Sequence, residues 1–104
     1  MLLDGQRAAA SVAVVPANAA GEPWQTQPVW DPEQVDWTAL LSPGSTVEPV
    51  PVFMLPTGTR VPAFDPSGGS RNWLGVFLLT AVDAPTLQRD CRAILDGMEA
   101  ALPQ

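Results

Sequence analysis

Trp73-Leu74-Gly75-Val76-Phe77-Leu78-Leu79-Thr80-Ala81-Val82 is the stretch on which the fold turns. A strand with one face in water alternates apolar and polar residues. This one is apolar at both parities, so it reads as a central strand buried on both faces, with Trp73 in the core. A marked helix start comes directly after it: Asp83 can N-cap the helix, and Pro85 suits its first turn. Leu87, Cys91, Ile94, Leu95, Met98 and Leu102 then recur at helical spacing and form one apolar stripe, which should pack on the sheet. Gln88, Arg92, Asp96 and Glu99 sit away from the stripe, and Asp90, Asp96 and Glu99 read as exposed carboxylates that provide solubility. Gly97 lowers helix propensity by about 1 kcal/mol relative to Ala, so the last turn is expected to fray.

Toward the N-terminus the signals are shorter. Ala9–Val15 is Val-rich and stops at Pro16, a strand. Trp24–Trp30 alternates with period two and reads as a second strand, demoted to a sheet edge by Pro28 and paired with the first as a hairpin. Asp31, Pro32 and Gln34 mark a helix start, with Trp30 and Val35 at hydrophobic-staple spacing. That helix should turn Trp37, Leu40 and Leu41 inward and end at Ser42-Pro43-Gly44-Ser45. Val47–Leu55 reads as a strand in which Pro49 and Pro51 place their missing N–H groups on one lateral edge, leaving only the other edge to pair. Pro56-Thr57-Gly58 makes a tight turn into Thr59–Phe64, and Asp65–Ser70 is a mobile loop. The expectation is an α+β single domain over residues 1–104. Its mixed or antiparallel sheet runs in β-β-α-β-β-β-α order, with the C-terminal helix packed on the sheet.

Composition bounds the chemistry. The 104 residues include 12 Pro, and 46% are hydrophobic, enough for a core. Eleven acids face five bases, all Arg, for a net charge of −6, with no His, Lys or Tyr. Without His or Lys there is no imidazole base, no Ser-His-Asp or Cys-His nucleophile, no Schiff base and no P-loop Lys. One Cys without His cannot build a structural zinc site or an intrachain disulfide. An acidic Lys-free chain is a poor nucleic-acid binder, and no apolar run is long enough to cross a membrane. Ala8–Val15 followed by Ala17-Asn18-Ala19 has the outline of a secretory leader. Asp4 and Ser11, and the shortage of large apolar residues, favour a first strand instead, and with it a cytoplasmic or virion setting over secretion.

Each candidate site has a plainer reading beside it. Gly68, Gly69, Ser70 and Arg71 can form an anion-binding nest or simply a flexible linker. Asp31, Glu33 and Asp36 can gather a cation, but helix capping explains them without one, so neither metal nor cofactor is expected. Asp65 is an isolated carboxylate beside the Gly loop. Cys91 lies on the apolar stripe and reads as a structural thiol. Trp24 can be a lid on the core or an interface anchor.

Thr57-Gly58-Thr59-Arg60-Val61, then Leu74-Gly75-Val76 and the helix Leu87–Leu102, together resemble the end of the carboxy-terminal lobe of ATP-grasp carboxylate–amine ligases. The likeness spans about half the chain, and the nucleotide-binding Lys and metal-binding residues of that family have no counterpart here. The resemblance implies an accessory, lobe-like subunit of such a ligase. The composition points first elsewhere, to a non-enzymatic subunit of a homo-oligomer or larger assembly, such as a phage head–tail or tail component. It would bind other protein chains, and neither nucleic acid nor membrane, through Trp24, Pro49, Pro51 and Phe53. A small anion-binding protein is the third expectation.

Overall fold

The structure is a computed structural model that describes residues 7–104. Asp4, which counted against a leader, lies outside the described residues. Three strands form one antiparallel sheet: β1 (Ala8–Val14), β2 (Thr46–Pro49) and β3 (Gly75–Ala81), in the order β1-β3-β2. The doubly apolar run is the central strand, as expected. Val14 lies opposite Gly75 in β1, and Pro49 lies opposite Phe77 in β2. A short helix α1 (Trp37–Leu40) precedes β2, and α2 (Ala84–Ala101) follows β3.

α2 starts as its residues dictate. The Asp83 carboxylate accepts from the Thr86 N–H at 2.9 Å, and Pro85 sits in the first turn. Its stripe meets the sheet: Leu87, Ile94, Met98 and Leu102 share one buried core with Val12, Val14, Phe77, Leu79 and Ala81. The helix continues past Gly97 to Ala101. The glycine has a packing role, because a Cβ there would sit 2.7 Å from the end of the Leu40 side chain. α1 and α2 approach closely because that Cβ is missing.

Several expected elements are replaced. Trp24–Trp30 is not a strand, and no hairpin with β1 forms beyond an isolated Ala17–Pro23 bridge. Pro23 and Pro28 each lack an N–H, so a ladder cannot run through them. Instead Trp30 donates to the Thr59 carbonyl and Val61 to the Pro28 carbonyl, both at 2.8 Å. This pairing takes Thr59–Val61 away from the hairpin expected for Thr59–Phe64. The helix expected from Asp31 is split. Pro32–Gln34 is one 3-10 turn without a side-chain cap at Asp31, Val35 is extended, and Asp36 caps α1 by accepting from the Thr38 N–H and hydroxyl. Trp30 and Val35 are nonetheless both buried. Trp37 packs α1 on the sheet through Phe77, their ring centroids 5.0 Å apart. The observed order is thus β-α-β-β-α joined by 3-10 turns, in place of β-β-α-β-β-β-α.

β3 is not covered on both faces. Phe77, Leu79 and Ala81 point into the core, whereas Leu78 is 46% exposed. Ala9 and Ser11 of β1 and Thr46 and Glu48 of β2 are exposed beside it. Among the described residues one helical layer packs on the sheet. On the second face the described residues leave Leu78 and its β1 and β2 neighbours open, whereas Val76 on that face is buried.

Candidate functional site

The ladder between β2 and β3 explains the most unusual surface of the molecule. The Val50 N–H donates to the Val76 carbonyl at 2.9 Å. In an antiparallel pair, neighbouring residues turn their backbone groups to opposite edges, so the nitrogen of Pro49 faces away from β3. The one-sided pairing expected for this strand is therefore present. Pro51 does not continue the strand. It opens a 3-10 turn, Pro51–Phe53, after which the Leu55 N–H returns to the Leu74 carbonyl at 2.9 Å. The turn is an outward loop between two rungs, and it carries Val52 and Phe53 into solvent, 80% and 50% exposed.

Trp73, expected in the core, lies beside them and is 39% exposed. The 3-10 turn Gly69–Asn72 delivers the chain to β3, and Trp73 precedes the first rung, outside the core. Its ring meets Phe53 edge to face, with centroids 5.8 Å apart and planes at 82°. Met54 separates this pair from an open groove of about 410 Å³ walled by Pro49, Pro51, Trp37 and Phe77, with Glu33 at its side. The structure thus brings Pro49, Pro51 and Phe53 together and adds Val52 and Trp73, which sequence reasoning missed. The Pro-Val-Pro-Val-Phe run was the available signal, since two prolines interrupt a strand and force the next residues off the ladder.

Trp24 lies elsewhere. It is half-buried against the core, its backbone N–H donates to the Pro16 carbonyl, and its indole Nε1 is buried without a partner. It lines a separate groove with Asp96 and Glu99.

The Gly-rich loop is braced by hydrogen bonds of its own. Asn72 is buried and clamps it, accepting from the Asp65 N–H at 2.9 Å and donating to the Asp65 carbonyl at 2.7 Å. The N–H groups of Ser67, Gly68 and Arg71 are already engaged within the loop, that of Ser67 by the Asp65 carboxylate. Gly69, at φ +55°, takes the left-handed turn that Gly allows. Gly68 and Gly69 shape this loop, and Ser70 and Arg71 follow in the 3-10 turn.

Asp90 departs from its expected exposed role, whereas Asp96 is exposed as expected. Asp90 is 1% exposed and accepts from the Ser42 N–H at 3.0 Å and from the Ser42 and Ser45 hydroxyls. Burial pushes its pKa up, but these hydrogen bonds and the nearby Arg89 charge outweigh burial and hold it below the ordinary value. Asp96 accepts from the Ala19 N–H at 2.9 Å, and Glu99 from the Thr26 N–H at 2.8 Å and its hydroxyl at 2.7 Å. All three tie loops to α2. Cys91 is half-buried, and burial together with the Asp90 charge pushes its thiol pKa up. Among the described residues no group of three His, Cys, Asp or Glu side chains is arranged to hold a metal ion. Among the same residues, no helix is long and apolar enough to cross a membrane. Comparison with protein-family models, with curated proteins and with solved structures gives no match for this chain.

Proposed function

We propose that the chain is a non-enzymatic assembly subunit that acts through contacts with other protein chains. The observation that carries this reading is the solvent-exposed Phe53–Trp73 pair, flanked by Val52 and by the Pro49/Pro51 groove. Aromatic rings held in a fixed mutual geometry bury large area on docking at little entropic cost, which is why Trp is enriched among interface hot spots. The Pro51–Phe53 turn presents Phe53 from a backbone pinned at Val50 and Leu55, and Trp73 follows the Gly69–Asn72 turn directly, so the surface is shaped before a partner arrives. Proline at the strand edge favours recognition by side chains over continuous strand addition there. The natural setting for such a subunit is a many-chain particle, a phage head–tail or tail assembly being one example.

The test is purification of the tagged chain from its native source, followed by mass measurement of what accompanies it. The wild type should emerge in a defined complex, and Phe53→Ser with Trp73→Ser should release it while leaving its melting temperature unchanged. A reproducible turnover by the purified chain, or a complex indifferent to both substitutions, overturns the reading.

A further inference from the structure

The two lateral edges of the sheet differ, and the difference selects a partner. On β2 the outer edge carries the proline nitrogen of Pro49. On β1 the outer edge carries no proline and no charged side chain, since Ala8–Val14 reads AAASVAV. Its register can be followed residue by residue. Because Val50 donates to Val76, the even residues of β3 turn their backbone groups to β2 and the odd residues to β1. Phe77 is opposite Val12 and Leu79 opposite Ala10. Val12 and Ala10 therefore spend their backbone groups on β3, and Ala9, Ser11 and Ala13 turn theirs to the outside. No backbone hydrogen bond outside the sheet involves these three among the described residues.

We propose that β1 pairs with β1 of a second copy of this chain, antiparallel about a two-fold axis at Ser11. Ser11 then faces Ser11 of the other copy, and Ala9 faces Ala13, each donating one N–H and accepting one in return. An unpaired strand edge is matched by another strand, and AAASVAV is self-complementary because nothing in it clashes with its own reverse. With Pro49 blocking the opposite edge, the pairing closes on itself and stops at a dimer. The sheet becomes β2-β3-β1-β1-β3-β2 across the axis, and the two open faces, each with its exposed Leu78, become continuous. The surface used is separate from the Phe53–Trp73 surface, so the two are tested independently.

Sedimentation equilibrium of the full chain reads the association directly. A dimer is expected that tightens with added salt, because each copy carries a charge of −6 and salt screens their repulsion. Ser11→Pro removes an outward N–H without touching the β1–β3 ladder, and should weaken the dimer by about tenfold or more at unchanged melting temperature. Ser11→Lys sets like charges opposite each other across the axis and should weaken it in a way that salt relieves. A wild type that remains monomeric at about 100 μM in high salt overturns the proposal, given typical affinities of specific interfaces. So does a dimer that neither substitution weakens, or one that only Phe53→Ser dissociates.

Discussion

Asp90 shows how a single residue can carry information that periodicity hides. On the helix wheel it stands off the apolar stripe and reads as a solvated acid. In the fold it is buried because the Ser42–Ser45 turn lies over it and hands it three donors. No helical spacing reveals a partner that arrives from nearly fifty residues away in sequence, so this part of the structure was not legible from the chain alone. Asp90→Ala should cost about 3 kcal/mol, since it strips a buried charged acceptor from its donors, and chemical denaturation of the variant measures it. The sign of the pH dependence follows from the lowered pKa. The unfolded chain takes up the proton more readily than the folded one, so the stabilisation is complete above the ordinary value of 3.8 and fades as the pH falls below it. Asp90→Asn should start less stable and lose less between pH 5 and pH 2 (acid-unfolding curves of the two proteins give the comparison). Next to it, Cys91 should be alkylated more slowly at pH 8 in the folded protein than in denaturant, because its thiol is pushed toward the protonated form. Gly75 has a contact of another kind. A Cβ there would stand 2.6 Å from the Met54 sulfur and 2.9 Å from the buried Trp30 ring, so Gly75→Ala should destabilise by about 1–3 kcal/mol.

At the scale of elements, the long signals were readable and the short ones were not. β3 and α2 each combine an unbroken apolar pattern with a marked boundary, and both stand where those signals put them. β1 follows from its run of Val and Ala ending before Pro16. Trp24–Trp30 failed because alternation describes side chains, whereas a strand also needs backbone donors, and Pro23 and Pro28 remove them. The same logic limited the reading of β3: an apolar residue at every position shows what the strand could bury, and the number of helices packed on the sheet decides what it does bury. The two faces should therefore respond differently to truncation. Leu79→Ala and Ile94→Ala should each cost about 2–5 kcal/mol, whereas Leu78→Ala should cost less than about 1 kcal/mol. Equal losses for Leu78 and Leu79 would mean that the open face is covered in solution.

For the molecule as a whole, the Trp24 groove and the Phe53–Trp73 surface lie beyond the same end of the sheet. β1 ends at Val14, β3 begins at Gly75 and β2 ends at Pro49, so the Trp24 loop, the Pro51–Phe53 turn and Trp73 all follow or precede the same end. Pro49, Pro51 and Phe53 were legible as a group because prolines announce a broken edge. Trp73 was hidden because hydrophobicity alone does not say on which side of a strand's first rung a residue falls. Trp24→Ala should weaken assembly by about 2 kcal/mol or more and leave the fold intact if Trp24 is an anchor. Its partial burial offers the opposite result, lower stability with unchanged association, and a melting curve beside a binding titration separates them. The carboxylates of α2 have a consequence for how the chain reaches this state. Asp96 holds Ala19 and Glu99 holds Thr26, partners 77 and 73 positions earlier, and β1 has no neighbour until β3 has been made. On a ribosome the first half of the chain must wait, its loops untied, for the last helix to emerge. Closure over such spans is entropically slow, so refolding should take milliseconds to seconds, on the order of times set by non-local pairing rather than by helix formation.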